Sequence, residues 1–164
     1  MIKNIFLNYK SKPSAHSQPH GTYKSSKNIG ILYNADQFRK PIIRDLQAEI
    51  EQDEKVVSTL GFFANAQKDV IEQGKYEFTE KDISTTGTFK NEIISQFARI
   101  PFDFLIALDT SMNLNYKYVL ASSKALCKIG FQTEGYELLL MMSLKMTENK
   151  SKSVKDLISY LKKI

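Results

Sequence analysis

Tryptophan is absent from the 164 residues, cysteine occurs once and histidine twice, and no long apolar run is present. Each shortage excludes something. A single cysteine, Cys127, permits no internal disulfide and fits a reducing compartment. Apolar runs such as residues 138–142 stop far short of the ~18 residues that a membrane-spanning helix needs. Ile5-Phe6-Leu7 is likewise too short for a secretory core. A cytoplasmic chain is expected. Both histidines, His16 and His20, lie upstream of residue 28, which leaves the remainder without the commonest general base. It also leaves no Ser-His-Asp or Cys-His arrangement there. The i, i+4 spacing of His16 and His20 suits metal ligands on a helix, but Pro13, Pro19 and Gly21 oppose a helix, and no cysteine or carboxylate completes a site. No metal, no cofactor and no catalytic residue is expected. Phosphate cradles are missing too: no GxGxxG follows the first apolar run and no GxxxxGK[ST] occurs.

Acidic residues are also missing from residues 1–27, which hold Lys3, Lys10, Lys12, Lys24 and Lys27 and so carry +5. The remainder holds 18 basic and 18 acidic residues, so the whole excess charge sits in the lead. Residues 10–27, rich in Ser, Pro, Gly, His and Lys, read as a flexible arm. Ahead of them Ile2, Ile5, Phe6 and Tyr9 fall at helical spacing, as in a short basic amphipathic helix. Such a helix docks on its own domain, lies on an anionic membrane or binds a partner. Lys124 and Lys128 add a local basic cluster with Lys117. Tyr9, Tyr23 and Tyr33 interleave with lysines as stacking plus phosphate contact would require. The plain reading of all these charges is a solvated surface.

What is present from residue 28 onward is an alternation of strand and helix signals. Residues 29–33 form an apolar run bounded by polar residues, as in a strand covered on both faces. Ile42, Ile43, Leu46 and Ile50 make a helical stripe, and Pro41 must lie in the first turn of that helix. Residues 55–63 are rich in β-branched and aromatic residues, 76–79 read as a short edge strand, and 90–99 as a helix. Residues 101–131 give the clearest unit: buried strand, polar loop, helix, strand. Residues 138–144 read as a strand after Gly135. In the last helix Ser153 and Asp156 resemble a capping box ahead of Val154, Leu157, Ile158 and Leu161. The expected fold is therefore α/β: a three-layer sandwich with a mainly parallel Rossmann-like sheet of about five strands and helices on both faces. A basic arm, 1–27, would precede a single domain, 28–164.

Open parallel sheets bind ligands beyond the carboxyl ends of their strands. Here those positions are Asn34 and Asp36, Asn65, and Asp109, Thr110 and Ser111. Asp109 ends a strand, where a carboxylate can hold a hydroxyl or a metal or act as a base. The plainer alternative is that Asp109, Thr110 or Ser111 caps the helix beginning near Asn113. Asp103 lies at the other end of the same strand, about 20 Å away at ~3.3 Å per residue, so the two carboxylates form no pair. Gly30 and Gly61 sit inside strands and mark close packing or a bulge. Cys127, between apolar neighbours, reads as buried.

The body, on Asp82, Gly87, Phe102-Asp103, Ser123-Lys124-Ala125, Lys128 and Gly130-Phe131, resembles a small uncharacterised α/β domain family of Bacteroidetes with a basic N-terminal lead. That resemblance implies fold and lineage and no activity. Residues 102–131, FDFLIALD to KALCKIGF, are similar to the strand–helix–strand of the N-terminal domain of lipopolysaccharide heptosyltransferases. It would place Asp109 near the acidic residue of that strand, with Thr110 where the family has glutamine. Those enzymes need a second Rossmann-like domain, for which the chain has no room. Two functions stand against each other. The favoured one is a non-catalytic binding or assembly protein whose arm meets an anionic partner, such as RNA, a ribosomal particle or a membrane surface. The other is a small-molecule-binding domain or minimal enzyme using the crevice at the strand ends.

Overall fold

The computed structural model describes Lys3, Leu7 and residues 21–64 and 76–164. In chain order the elements are β1 (Asn28–Asn34), α1 (Lys40–Gln52), β2 (Val56–Phe63), β3 (Glu77–Thr79), α2 (Glu92–Arg99), β4 (Phe104–Leu108), α3 (Leu114–Ser122), β5 (Cys127–Phe131), β6 (Met142–Leu144) and α4 (Lys150–Leu161). One 3₁₀ turn, Glu80–Asp82, follows β3. The six strands, one more than the patterning suggests, form one sheet in the order β3-β2-β1-β4-β5-β6, with every neighbouring pair parallel. This is the strand order of doubly wound sheets, in which the direction of winding switches between β1 and β4.

Local chemistry sets the elements. Pro41 occupies the first turn of α1, where its missing N–H has no partner to lose. Asn91 and Asn113 cap α2 and α3 by accepting from the backbone of Ile93 and of Asn115 and Tyr116. The last helix starts earlier than the Ser153/Asp156 pattern suggests. Asn149 is its cap, accepting from Lys152 N, while Ser153 lies inside it, buried and bonded back to Asn149 O. Strand β6 keeps only the last three residues of 138–144; Leu138 and Leu139 lie in a turn.

Alternation along the strands feeds two apolar clusters. Ile29 and Ile31 join Ile43, Leu46 and Ile50 of α1 and Val154, Leu157, Ile158 and Leu161 of α4. Leu32, Phe62, Leu105 and Ala107 join Ile94 and Phe97 of α2 and Tyr116, Val119 and Leu120 of α3. Packing begins upstream of Asn28. Tyr23 is buried in the first cluster and donates to Asp53 Oδ2 at 2.8 Å, and Lys55 Nζ reaches Ser26 O at 2.8 Å. Asp103 accepts from Lys27 N and Asn28 N, so its carboxylate anchors the entry to β1. Tyr23 and Tyr33 are thus core residues and unavailable for stacking on bases, while Tyr9 lies outside the described residues.

Glycine matters most at Gly130, where a Cβ would sit 2.5 Å from the Ala107 carbonyl oxygen of the neighbouring strand. A backbone atom cannot swing aside. Gly130→Ala should therefore lower unfolding stability by about 1–3 kcal/mol, as overpacking does. Gly21→Ala, whose Cβ meets only Ser25 Oγ at 3.5 Å, should change it little. Equal urea midpoints for the two variants would refute this account of β4–β5 packing.

Candidate functional site

Registers bring the carboxyl ends of β1 and β4 together: Tyr33 pairs with Leu108, so Asn34 and Asp109 leave the sheet side by side. Asp109 is 1% exposed. Its Oδ1 accepts from Asn34 Nδ2 at 2.8 Å, Ser111 Oγ at 2.6 Å and Ser111 N at 3.1 Å. Its Oδ2 accepts from the Tyr136 hydroxyl at 2.6 Å. Thr133, just past β5, donates to the Asp109 carbonyl at 3.0 Å. Burial first, and then the Asp109 carboxylate, hold the Tyr136 hydroxyl far above the ordinary tyrosine range, so its proton stays on the phenol. Tyr116 stacks on Tyr136 at 6.2 Å between centroids and is raised for the same two reasons, in the same order.

Asn34, Asp109 and Ser111 therefore converge, but on one another. Thr110 is held apart by Gln37 Oε1, which accepts from Thr110 N at 2.9 Å. Asp36 is exposed and accepts from Ala64 N at 2.8 Å, and Asn65 lies outside the described residues. None of Asp109, Thr110 and Ser111 caps α3, because Asn113 does so itself. The crevice at the switch between β1 and β4 is occupied by protein donors, and Asp109 has no exposed surface to offer a ligand. Tyr136 was invisible to sequence patterning: it stands in a loop, 27 positions from its partner, with no periodicity to mark it.

Open space lies one strand further on. A cavity of about 580 Å³ beyond the end of β5 is lined by Thr133, Glu134, Tyr136, Glu137, Leu140 and Ser143, among others. That is within the range of about 300–1,000 Å³ usual for small-molecule sites. Cys127 is fully buried, and burial pushes its thiol up to about 11, which keeps it protonated and inert. Among the described residues no group of three or more His, Cys, Asp and Glu is placed to hold a metal ion.

The lysines separate into different places. Lys3 donates to Glu80 O at 2.6 Å, beyond the carboxyl end of β3, and Leu7 is 0% exposed within the second cluster. Lys10 and Lys12 lie outside the described residues. Lys24 and Lys27 are exposed just ahead of β1, and Lys124 is exposed ahead of β5. Lys124 N bonds Ala98 O at 2.9 Å, which sets it beside exposed Arg99. Lys128 departs from the basic-cluster reading: inside β5 it is 8% exposed, and burial lowers its ammonium to about 8. It is no surface contact.

The whole chain, residues 1–164, matches the model of a family of unknown function (DUF6913). The chain belongs to that family. No curated protein and no solved structure matches it. No described helix is long and apolar enough to cross a membrane.

Two predictions follow from the buried polar groups of this family member. Asp109→Ala strands Ser111 and Tyr136 without their acceptor and leaves Asn34 Nδ2 only Ser111 Oγ at 3.1 Å, and should cost about 3 kcal/mol or more, since each unsatisfied buried donor costs roughly 1–3. Tyr136→Phe, removing one charge-assisted bond, should cost about 1.5–3 kcal/mol. Chemical denaturation of both measures this; an Asp109→Ala variant as stable as wild type would show that the network carries no load. For Lys128, both states hold the proton below pH 8, and the full penalty of the buried ammonium applies. Between pH 8 and 10.5 only the unfolded chain holds it, so wild-type stability rises with pH. Lys128→Met should add about 3 kcal/mol near pH 7 and nothing above pH 10.5, read from denaturant midpoints across that span.

Proposed function

We propose that this is a non-catalytic cytoplasmic binding or assembly protein, and that its partner is RNA, free or within a ribonucleoprotein. The observation that carries the reading is that Lys24, Lys27 and Lys124 are exposed together at the amino end of the sheet. They precede β1 and β5, the two strands that flank β4. Arg99 stands beside Lys124 and adds to the charge. Two acids of that end are engaged, Asp103 by Lys27 N and Asn28 N and Asp53 by Tyr23 and Lys162, which leaves exposed Glu54 against the three lysines. Lys10 and Lys12 extend the same charge along the chain. RNA is favoured over a bilayer because Leu7, the described apolar residue of the lead, is buried within the protein. A single buried cysteine supports a cytoplasmic setting.

We also infer the finer architecture. Ile31 meets α1 and α4 while its neighbour Leu32 meets α2 and α3, and successive strand residues point to opposite faces. A three-layer sandwich follows.

Fluorescence anisotropy with a short unstructured RNA tests the binding. Replacing Lys24, Lys27 and Lys124 by Glu should weaken it and flatten the dependence of log K on log salt by about 0.7 per lost contact. Wild-type protein that ignores RNA but binds phosphatidylserine vesicles would replace this reading with a membrane one. An unchanged salt slope in the triple variant would sink it outright. The cavity beyond β5 favours a second reading, a small-molecule-binding domain. A metabolite that raises the thermal midpoint of wild type, but not of Ser143→Trp, would carry that one.

A further inference from the structure

A second cavity, about 190 Å³, lies between α1 and the strands β1, β2 and β3, away from the carboxyl-end cavity. At ~30 Å³ per molecule it has room for about six waters. Lys40, Ile43 and Arg44 line it from one face of α1, at the i, i+3, i+4 spacing of helix neighbours. Tyr33, Thr59 and Glu77 line it from the sheet.

The strand side is built by one register row, Tyr33–Gly61–Glu77, running across three strands. Gly61 has no side chain, and the Tyr33 ring fills the gap: a Cβ on Gly61 would lie 2.7 Å from both Cζ and the hydroxyl oxygen. The phenol thus reaches over Gly61 towards Glu77. Burial and then Glu77 raise it to about 12, so at ordinary pH it keeps its proton, and its oxygen can accept from an ammonium while the O–H donates. The Glu77 side chain is 8% exposed; its Oε1 pairs with Lys40 Nζ at 3.1 Å, and its Oε2 is buried without a hydrogen-bond partner. Such an oxygen is costly unless something supplies a donor. The Tyr33 hydroxyl and the Arg44 guanidinium, both on the same cavity, also make no hydrogen bond or ion pair among the described residues.

An anion alone would meet Glu77, and a cation alone would meet Arg44 and Lys40. A ligand with an ammonium beside a carboxylate satisfies both, and Ile43 offers it an apolar wall. We propose that this cavity binds a free α-amino acid with a small or medium aliphatic side chain, its ammonium on Glu77 with the Tyr33 hydroxyl, its carboxylate on Arg44. This assignment is independent of the RNA reading and uses none of its residues.

Titration of the full chain with glycine, L-alanine, L-valine and L-leucine, followed by thermal midpoint and by amide chemical shifts, tests it. Ethylamine, acetate and inorganic phosphate serve as half-ligands. At least one amino acid should raise the midpoint and shift the amides around Tyr33 and Glu77, where ethylamine, acetate and phosphate do not. Arg44→Gln, on the exposed face of α1, and Tyr33→Phe should each weaken binding at least about tenfold, which corresponds to ~1.4 kcal/mol. Glu77→Gln should abolish it. No response to any of the four amino acids overturns the proposal. So does an equal response to acetate or phosphate alone, or an undiminished response in both Arg44→Gln and Tyr33→Phe.

Discussion

The buried carboxylate of Asp109 is the constraint on which the middle of this structure turns. No ion pair reaches it among the described residues, yet it is removed from water at the point where the winding of the sheet reverses. A bare carboxylate in such a place would take up a proton or force the chain apart. Here four donors share the charge, one from the end of β1, two from the loop after β4 and one from beyond β5. Charge-assisted bonds are each worth about 1.5–3 kcal/mol, so four of them compete on equal terms with desolvation. The network joins three of the six strands at their exits. It does so by filling the crevice that doubly wound sheets ordinarily leave for a ligand.

How much of this was written in the sequence depends on the range of the interaction. Strands buried on both faces announce themselves as runs such as Phe104–Leu108, and α1 announces itself by its stripe and by Pro41. Edge status for β3 followed from its shortness, and burial of Cys127 from its neighbours. Local mimicry misled at one point: Ser153 and Asp156 imitate a capping box, but Asn149 is free to accept from Lys152 N and takes the cap. The site was legible only as positions. That Asn34 and Asp109 leave the sheet at its carboxyl end follows from strand order, whereas the donor that closes the network, Tyr136, belongs to a loop whose path no periodicity records. Lys128 misled for a related reason, because its charge suggests a surface while its register beside Leu105 in a central strand sets it inside.

Glu77 and Asp109 make a physical contrast. Both are carboxylates at least nine-tenths buried. Asp109 lies where three chain segments converge, so donors surround it. Glu77 lies on the edge strand β3, with β2 on one side only and α1 above, and it draws a single partner, Lys40, across the layer. Gly61 between Tyr33 and Glu77 sharpens the difference. A larger residue there would collide with the phenol, and the cavity would close around nothing. Edges of parallel sheets are thus where a buried polar group can remain incompletely served, and where a ligand has something to gain by arriving.

The two ends of the sheet differ in what they offer an anion. Phosphate-binding members of this architecture hold the anion at the carboxyl end, on a glycine-rich turn leading into a helix. In this chain the turn after β1 is Ala35-Asp36-Gln37 and has no glycine, and the first amides of α3 are spent on Asn113. Asp109 lies behind that turn, and Glu134 and Glu137 line the neighbouring cavity. Lys150 Nζ, donating to Gln37 O at 2.9 Å, is the cation at that turn, and among the described residues no glycine-rich cradle stands beside it. At the amino end Asp103 is occupied by backbone amides and Asp53 by Tyr23 and Lys162, Glu54 is exposed, and Lys24, Lys27 and Lys124 are exposed as well. The proposed contact with RNA uses the lysines of the amino end, opposite to where strand order alone would direct a ligand. The strand order is kept, while the glycine-rich turn that would seat an anion at its switch point is replaced by a buried carboxylate and its donors.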